Sequence, residues 1–359
     1  MIQFGDIYRG RKVLITGHTG FKGSWLSFWL SQLGAHLCGV SLDPESQPNH
    51  WDHLKLGIED NRLDIRGAAQ VRAVVESFRP DIVFHLAAQA LVRRSYQEPI
   101  ENWSTNVMGT AHVLDACRGV DSVRAIVAIT TDKVYANQEG SRAYLETDRL
   151  GGHDPYSASK AACELLIDSY RNAFFNLENA PLLASARAGN VIGGGDWSED
   201  RLIPDLVKSL ERSQALVIRS PNATRPWQHV LECLSGYLLL GQQLLENRLE
   251  FASAWNFGPP KEDNCTVEQV LSRLQAHWPE LRWQQTESPQ PHEATLLNLD
   301  ITKARDLLNW EPVWNLDQSL QATADWYRHF RKDNAVLTGD QLAWYTESAL
   351  ESRTPWIQA

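Results

Sequence analysis

The chain has 359 residues, of which 43% are hydrophobic, and a formal net charge of −10 at pH 7. A chain of this length can bury one large hydrophobic core or two coupled ones. The acidic balance argues against non-specific nucleic-acid binding, because no basic field would attract phosphates. An anionic substrate would therefore require a locally positive pocket.

Cysteine usage and the N-terminal residues predict a cytoplasmic protein. The five cysteines are odd in number and scattered, and no pair has CxxC spacing, so we expect neither a disulfide framework nor a zinc or other metal site. The N-terminus lacks an apolar signal region, and no run of residues reaches membrane-spanning length. We therefore expect a reducing, cytoplasmic setting with no membrane partner.

Apolar runs and helical patterns alternate through the first half of the chain. Residues 12–16 (KVLIT) predict a buried strand that leads into a helix, and a short third strand is expected to end at Leu63 and Asp64. The other predicted strands are 36–43, 81–88, 124–131 and 182–193, and the other helices are 68–78, 100–118 and one that begins near Tyr156. Strands without polar alternation are buried on both faces, so this order predicts an α/β fold with a doubly wound parallel sheet of the Rossmann type.

From about residue 190 the rhythm changes, and we predict a smaller C-terminal lobe that binds substrate. Its predicted elements are helices at about 204–212, 229–246 and 266–277, and short strands at 216–219 and 255–257. The predicted domains are therefore 1–190, which binds a dinucleotide, and 191–330, with the chain returning to the first domain after about residue 225. Residues 331–359 form an extension to which the sequence assigns no role.

A glycine-rich loop, TGHTGFKGSW, follows the first predicted strand. Gly17, Gly20 and Gly23 give GxxGxxG at a strand-to-helix turn, where backbone N–H groups can approach a pyrophosphate. A lone glycine triplet is a weak signal, and its position after the first strand strengthens it. Asp43 ends the second strand, where a carboxylate binds the adenosine ribose of NAD rather than NADP. The alternative for Asp43 is a turn residue before Pro44.

Other residues predicted to contact NAD surround this loop. Asp64 could accept a hydrogen bond from the adenine amino group or be a solvated loop residue, and the small residues of HLAAQ could pass under the cofactor or pack in the core. His18 is expected to support the turn. The full set of predicted cofactor contacts is Gly17, Thr19, Gly20, Phe21, Lys22, Gly23, Asp43, Asp64, Leu86, Ala87, Ala88, Thr105, Tyr156 and Lys160.

Two short segments carry residue types suited to acid–base chemistry. Tyr156 and Lys160 form YxxxK on one helix face, and an ammonium beside a phenol lowers the tyrosine pKa from about 10. YxxxK alone is weak, and it gains specificity from its place after the glycine loop. ITTDKVYA, residues 129–136, places Thr131, Asp132 and Lys133 at the end of a buried strand. Either both charges are solvated there, or they serve a site, because unpaired buried charges are costly.

These motifs resemble those of the extended short-chain dehydrogenase/reductases and, more narrowly, the nucleotide-sugar 4,6-dehydratases. The resemblance runs from about residue 10 to residue 330 and rests on GHTGFKGSWL, TTDKVY, YSASK, RAGNVIGGGDW, RPWQHV and KARDLLNWEPVWNLDQSL. The Lys-Gly-Ser-Trp continuation of the glycine loop is similar to the branch that acts on CDP-glucose. Relatives that act on dTDP-glucose carry Thr-Asp-Glu where this chain has Thr-Asp-Lys, so a carboxylate base cannot simply be copied.

The resemblance implies a lyase that converts CDP-D-glucose to CDP-4-dehydro-6-deoxy-D-glucose and water, with NAD regenerated. Tyr156, supported by Lys160, would take the proton of the sugar 4-hydroxyl while Thr131 bonds the same oxygen. An uncharged Lys133 would remove the C5 proton, and a protonated Asp132 would donate to the departing 6-hydroxyl. The implied pathway makes dideoxysugars for the lipopolysaccharide O-antigen of a bacterial surface.

The resemblance also implies substrate contacts and a quaternary state. An arginine suits a pyrophosphate because its guanidinium binds phosphate in a bidentate manner. The implied substrate contacts are Gln89, Asn190, Arg201, Arg225 and His292. No residue pattern separates cytosine from other bases, so CDP comes from the resemblance alone. Helices 100–118 and 156–172 would pair in a homodimer, which could assemble further.

Two other functions remain open from the sequence. A nucleotide-sugar 4-epimerase or decarboxylase shares the cofactor loop and YxxxK, but an epimerase needs no Asp-Lys pair for water loss. A non-catalytic NAD-binding protein on the same fold would often lack the tyrosine or the lysine, and this chain has both.

Overall fold

The structure is a computed structural model that describes residues 1–138, 140, 142–218, 220–285 and 297–359. The described strands are β1 (Ile2–Gln3), β2 (Lys12–Thr16), β3 (His36–Ser41), β4 (Glu59–Arg62), β5 (Ile82–His85), β6 (Ala125–Ile129), β7 (Leu182–Ala188), β8 (Asn190–Ile192), β9 (Leu216–Ile218), β10 (Thr224–His229), β11 (Ala254–Phe257), β12 (Asn264–Thr266), β13 (Trp283–Gln285) and β14 (Ile357–Gln358).

The described helices follow the alternation that the sequence predicts. They are α1 (Phe21–Gln32), α2 (His50–Leu54), α3 (Ala68–Phe78), α4 (Val92–Gln97), α5 (Pro99–Trp103), α6 (Gly109–Arg118), α7 (Pro155–Ala173), α8 (Leu202–Glu211), α9 (Val230–Leu245), α10 (Val267–His277), α11 (Thr302–Leu308), α12 (Leu316–Asp333) and α13 (Thr338–Glu351). One predicted helix, 100–118, is divided, because a π-helical turn, Ser104–Met108, joins α5 to α6.

The main sheet confirms the predicted doubly wound architecture. Within the described residues it has seven parallel strands in the order β11-β7-β6-β5-β2-β3-β4. Strands β5, β6 and β7 are buried along their whole length, as expected for a sheet covered by helices on both faces. Strand β11, which comes from the second half of the chain, pairs with β7 at one edge of this sheet. The predicted domains, with their division at residue 190 and the return of the chain after about residue 225, stay a prediction.

The predicted single strand at 182–193 is wrong in one respect, because the chain changes sheets at Gly189. Strand β7 belongs to the main sheet, and β8 pairs with β10 in a separate sheet of order β12-β10-β8. A Cβ atom on Gly189 would lie 2.5 Å from Cγ of Pro226 and 3.2 Å from Oδ2 of Asp132. Glycine therefore allows β10 to approach the end of the main sheet. The predicted strand 216–219 ends at Ile218, and Arg219 lies outside the described residues.

The C-terminal extension packs against the helix that follows the glycine loop. Strand β14 pairs antiparallel with β1, which joins the two ends of the chain. Trp356 is 2% exposed and stacks on Phe4, with ring centroids 5.0 Å apart. The same indole contacts Trp29 of α1 at 5.9 Å and Tyr345 of α13 at 6.0 Å. The extension is thus part of the hydrophobic core rather than a loose tail.

Two further expectations concern cysteines and membranes. All five cysteines fall within the described residues, and each is buried and free. Among the described helices, none combines the length and the apolar character needed to cross a bilayer.

Replacement of Trp356 should measure how much the extension stabilises the protein. Trp356→Ala leaves a cavity between Phe4, Trp29 and Tyr345, and we expect the free energy of unfolding to fall by about 3–5 kcal/mol. Glu347→Ala, on the exposed face of α13, is the control and should change it little. Urea titration compares the three proteins; equal stability of both variants would mean that the extension is not a structural part of the core.

Candidate active site

A large cleft lies at the carboxyl ends of the parallel strands, where doubly wound sheets bind their ligands. It has a volume of about 1440 Å³ and is lined by the glycine loop, the ends of β3, β5 and β6, the start of α7 and the segment around β8. Except for His292, which lies outside the described residues, every predicted cofactor, substrate and catalytic residue lines this cleft. The structure therefore brings the predicted groups together in one place.

Two glycines of the loop, Gly17 and Gly23, are packed too closely for a side chain. Gly17 has φ of +78°, and a Cβ atom there would lie 2.7 Å from the backbone nitrogen of Ala87. A Cβ atom on Gly23 would lie 2.0 Å from the carbonyl oxygen of Gly17. The loop thus lets the first turn of α1 approach both its own strand and the end of β5. Gly17, Gly20 and Gly23 all line the cleft, at the strand-to-helix turn where a pyrophosphate would bind.

His18 supports this loop, as the sequence suggests. Its side chain is fully buried, its Nε2 lies 2.9 Å from Oδ1 of Asp60, and its ring meets Trp51 edge-on at 4.6 Å. A Cβ atom on Gly39 of β3 would lie 2.5 Å from the imidazole. Burial lowers the pKa of His18 despite the carboxylate of Asp60. The residue is a packing element behind the loop.

Two arginines that the sequence reasoning missed hold the carboxylates at the adenosine end of the cleft. Arg62 Nη1 lies 3.6 Å from Oδ1 of Asp43, whose side chain is 86% exposed. Arg66 Nε donates to Asp64 Oδ2 at 2.8 Å, and this hydrogen bond lowers the pKa of Asp64. Asp64 is therefore ionised near neutral pH, which suits acceptance of a hydrogen bond from the adenine amino group.

Tyr156 and Lys160 lie in the first turns of α7, and the pKa of Tyr156 differs from expectation. Asp154 caps the helix by accepting from Ser157 N at 2.9 Å. Burial raises the pKa of Tyr156 to about 12, and the nearby Thr131 hydroxyl opposes this shift. The predicted lowering by Lys160 is therefore wrong for the protein alone, because burial dominates and the Lys160 ammonium donates to the Ile129 carbonyl at 3.1 Å.

Residues 131–134, here called the acid–base segment, form a short helical turn after β6. Thr131 caps this turn: its hydroxyl accepts from Lys133 N at 3.4 Å and donates to Asp132 Oδ1 at 3.0 Å. Asp132 is only 2% exposed, and its Oδ2 has no hydrogen-bond partner among the described residues. Burial raises the pKa of Asp132, although the charges of Lys133 and Arg225 oppose the shift. Solvation of both charges is thus wrong for Asp132, which is a buried carboxyl group facing the cleft.

Three of the predicted substrate residues have side chains that already make hydrogen bonds within the protein. Gln89 Oε1 accepts a hydrogen bond from Asn102 Nδ2 at 2.8 Å, so its amide oxygen already has a partner within the protein. Arg201 donates to Asp196 Oδ2 at 3.0 Å, and Arg225 donates to the Thr224 carbonyl at 3.1 Å. Asp196, in the GGGDW motif, is a positioning residue that sequence reasoning missed.

Comparison with protein families identifies the chain. The family model described as GDP-mannose 4,6 dehydratase matches residues 14–323. The chain belongs to this family. Among the similar proteins of this dehydratase family is a CDP-glucose 4,6-dehydratase from Salmonella typhimurium, which is 46% identical over 92% of this chain and 94% of the relative.

Solved structures share the fold of this dehydratase-family chain. A UDP-glucose 4-epimerase from Thermus thermophilus, in complex with NAD, aligns with a TM-score of 0.77 and 22% identity over 88% of this chain and 99% of its own. A dTDP-glucose 4,6-dehydratase from Bacillus anthracis, also in complex with NAD, aligns with a TM-score of 0.73 and 19% identity over 91% and 99% of the two chains. At these identities the likeness establishes the fold.

A buried histidine beneath the cleft makes the fold of this family member sensitive to acid. His85, at the end of β5, lies between Thr16 Oγ1 at 2.7 Å and Thr110 Oγ1 at 2.9 Å. Burial lowers the pKa of His85 to about 3, and the charge of Lys160 adds to the effect. The unfolded chain therefore binds a proton that the folded chain excludes.

We expect His85 to account for part of the loss of stability in acid. Its contribution is fully present above the unfolded pKa of about 6.5 and is lost as the pH falls toward about 3. Between about pH 7.5 and 5.5 this removes about 1.3 kcal/mol of unfolding free energy. His85→Gln should reduce the measured loss by that amount in urea titrations at the two pH values. His36→Gln, at the exposed start of β3, is the control; an identical loss in wild type and His85→Gln would contradict the assignment.

Proposed function

We propose that this chain is a lyase that converts CDP-D-glucose to CDP-4-dehydro-6-deoxy-D-glucose and water, with NAD as its cofactor. The observation that carries the proposal is Asp132, a buried carboxyl group with a raised pKa and an unpartnered oxygen, in the same cleft as Tyr156 and Lys160. Its raised pKa makes it a proton donor over a wider pH range than an exposed carboxyl group, and it can give a proton to a leaving hydroxyl. An epimerase has no use for this acid.

The residues at the glycine loop fit a dinucleotide. The contact between Gly17 and Ala87 excludes a side chain at position 17, and the residues of the first turn of α1 line the cleft. Asp43 and Asp64 supply acceptors for the adenosine end. When bound, NAD would accept a hydride from the sugar C4 and return it to C6, so that none is consumed.

Each residue of the catalytic set then has one task. Tyr156 receives the proton of the 4-hydroxyl, and because its pKa in the protein alone is about 12, its phenolate needs the Lys160 ammonium and the Thr131 hydroxyl for stabilisation. Lys133, which lines the cleft beside Asp132, takes the C5 proton once the adjacent ketone has made it acidic, and returns a proton to C5 when C6 is reduced. Asp132 donates its proton to the 6-hydroxyl, which leaves as water.

The choice of CDP rests on the Salmonella relative, whose name gives CDP-glucose as its substrate. Arg225 and Arg201 line the cleft and provide the positive charge that a pyrophosphate needs in a chain with a net charge of −10. Asn190, at the start of β8, lies in the same wall of the cleft. We assign these three residues to the nucleotide-sugar.

Mass spectrometry of the purified chain with NAD and, separately, CDP-, dTDP-, UDP- and GDP-glucose tests this function. We expect loss of one water from CDP-glucose without net formation of NADH. Asp132→Asn removes the donated proton but keeps the shape, and should slow water loss by about 10²-fold or more. Lys133→Ala should do the same, because the C5 proton then has no base.

The control is Asp121→Asn, an exposed carboxylate outside the cleft, which should retain full activity. Full water loss by Lys133→Ala would refute the assignment of the base. An unchanged mass with conversion of glucose to galactose would identify an epimerase instead.

We also propose that the chain is a homodimer. Large apolar side chains are exposed on neighbouring helices: Ile100 is 80% exposed, Leu165 63% and Met108 52%. They lie on α5, on α7 and in the π-helical turn, elements that pack against one another. Exposed apolar clusters of this kind mark protein–protein interfaces. A second copy of the chain would cover these helices, as the sequence resemblance implies.

Sedimentation velocity should show whether this surface joins two copies. We expect a dimer for wild type and a monomer for the double variant Ile100→Asp/Leu165→Asp, because two buried carboxylates in each subunit would face an apolar interface. Leu307→Asp, 58% exposed on α11, is the matched control and should remain dimeric. A monomeric wild type, or a dimeric double variant, would place the interface elsewhere or exclude it.

A further inference from the structure

A buried ion pair lies directly behind the acid–base segment, residues 131–134. Glu164 of α7 and Arg187 of β7 are 4% and 3% exposed, and Arg187 Nη2 donates to Glu164 Oε2 at 2.8 Å. Ser185 Oγ donates to the same carboxylate oxygen at 2.8 Å. Burial alone would raise the pKa of Glu164, but Arg187 and the hydroxyl donors bring it below its ordinary value. The carboxylate is therefore charged and fully engaged.

One end of the acid–base segment is tied to this pair through Thr130. The Thr130 hydroxyl donates to Glu164 Oε1, and its backbone nitrogen donates to the Ala186 carbonyl at 2.9 Å. Thr130 directly precedes Thr131, the cap of the catalytic turn. Glu164 therefore fixes the point at which the chain leaves β6.

The other end is tied to the same pair through Tyr135. Arg187 Nη1 donates to the Tyr135 hydroxyl at 2.8 Å, and that hydroxyl donates to Asn256 Oδ1 at 2.6 Å. The guanidinium also lies 5.1 Å from the centre of the Tyr135 ring. The same ring stacks on Tyr144, with centroids 4.9 Å apart. Tyr135 directly follows the turn, so Arg187 fixes the point at which the segment ends.

The ion pair is also joined to the residues of the oxidation step. Tyr156, Lys160 and Glu164 follow one another at intervals of four residues along α7 and so lie on one side of the helix. Lys160 donates to the Ile129 carbonyl, one residue before Thr130. The helix that carries the YxxxK pair thus also holds the start of the acid–base segment.

We propose that Glu164 and Arg187 are positioning residues that hold residues 131–134 at both ends and thereby fix Asp132 and Lys133 relative to Tyr156. The proposal rests on the proposed function, in which these two groups eliminate water. Tyr156 and Lys160 are placed by the helix itself, and Thr131 is the one member of the segment that the proposed oxidation step uses. Loosening the segment should therefore slow elimination, which needs both Asp132 and Lys133, more than oxidation. A misplacement of about 1 Å can slow a step by about 10²-fold.

Two mild variants test this role. Glu164→Gln keeps the shape of the side chain and removes its charge, and Tyr135→Phe removes only the hydroxyl that joins Arg187 to Asn256. With CDP-glucose and NAD in a single turnover, we expect each variant to slow water loss by about 10- to 10²-fold. The rise in reduced-nicotinamide absorbance should change less than about threefold, so a 4-keto sugar that has not lost water accumulates with reduced cofactor.

Hydrogen–deuterium exchange provides a readout that needs no substrate or cofactor. In both variants, the amides of residues 131–135 should exchange about tenfold faster or more, because their anchors are lost. Exchange in the body of α7 should stay as in wild type. If Glu164→Gln fails to fold, Tyr135→Phe alone decides the question.

Glu232→Gln is the matched control. Glu232 is also a fully buried carboxylate, which accepts from Trp314 N at 2.7 Å and Tyr345 OH at 2.9 Å, and no hydrogen bond between described residues joins it to residues 130–135. It should lower the melting temperature without altering the ratio of the two steps. Equal slowing of both steps in the Glu164 and Tyr135 variants, or unchanged exchange at 131–135, would overturn the proposal. A wild-type chain that loses no water would refute the proposed function, whereas the exchange result would still test the anchoring.

Discussion

Asp132 is a carboxyl group kept out of water at the end of a fully buried strand, and the rest of the site is arranged around that burial. Ionisation of a buried carboxyl group is unfavourable, so burial raises the pKa of Asp132. Burial in turn requires that the turn after β6 be covered. Strand β10 provides the cover, and it can approach because position 189 has no side chain. Gly189, which follows the last residue of β7, therefore contributes to the burial that raises the pKa of Asp132.

The cofactor end depends on a different packing constraint. Helix α1 begins against the end of β5, and the side of α1 that faces away from the sheet needs other packing partners. Trp29 of α1 meets Trp356 and Tyr345, and Trp25 Nε1 donates to the Gly194 carbonyl at 2.9 Å. The extension and the segment after β8 thus pack against the helix that follows the glycine loop. Residues far along the chain from the glycine loop therefore support the helix that follows it.

Sequence reasoning predicted the features that depend on neighbouring residues in the chain and missed those that depend on contacts between residues far apart in the chain. Apolar runs, the glycine loop and YxxxK are short patterns; the sheet confirms the fold that the apolar runs predict, and the loop and YxxxK line one cleft. The break at Gly189 depends on a strand that arrives more than thirty residues later, so nothing in 182–193 indicates it. Arg187 reads as a polar interruption in an apolar strand until Glu164 is placed beside it. The raised pKa of Tyr156 follows from burial, which YxxxK does not encode.

The Thr-Asp-Lys sequence acquires a physical sense from the burial of its acid. Asp132 is 2% exposed, whereas its neighbour Lys133 is only half-buried, so the two side chains meet different surroundings. Burial raises the pKa of the acid, and the charge of Lys133 opposes that shift. In the proposed reaction the two groups have opposite tasks, because one donates a proton and the other accepts one. Their adjacent positions on one short turn place both groups against the same cleft, provided that the turn holds them in place.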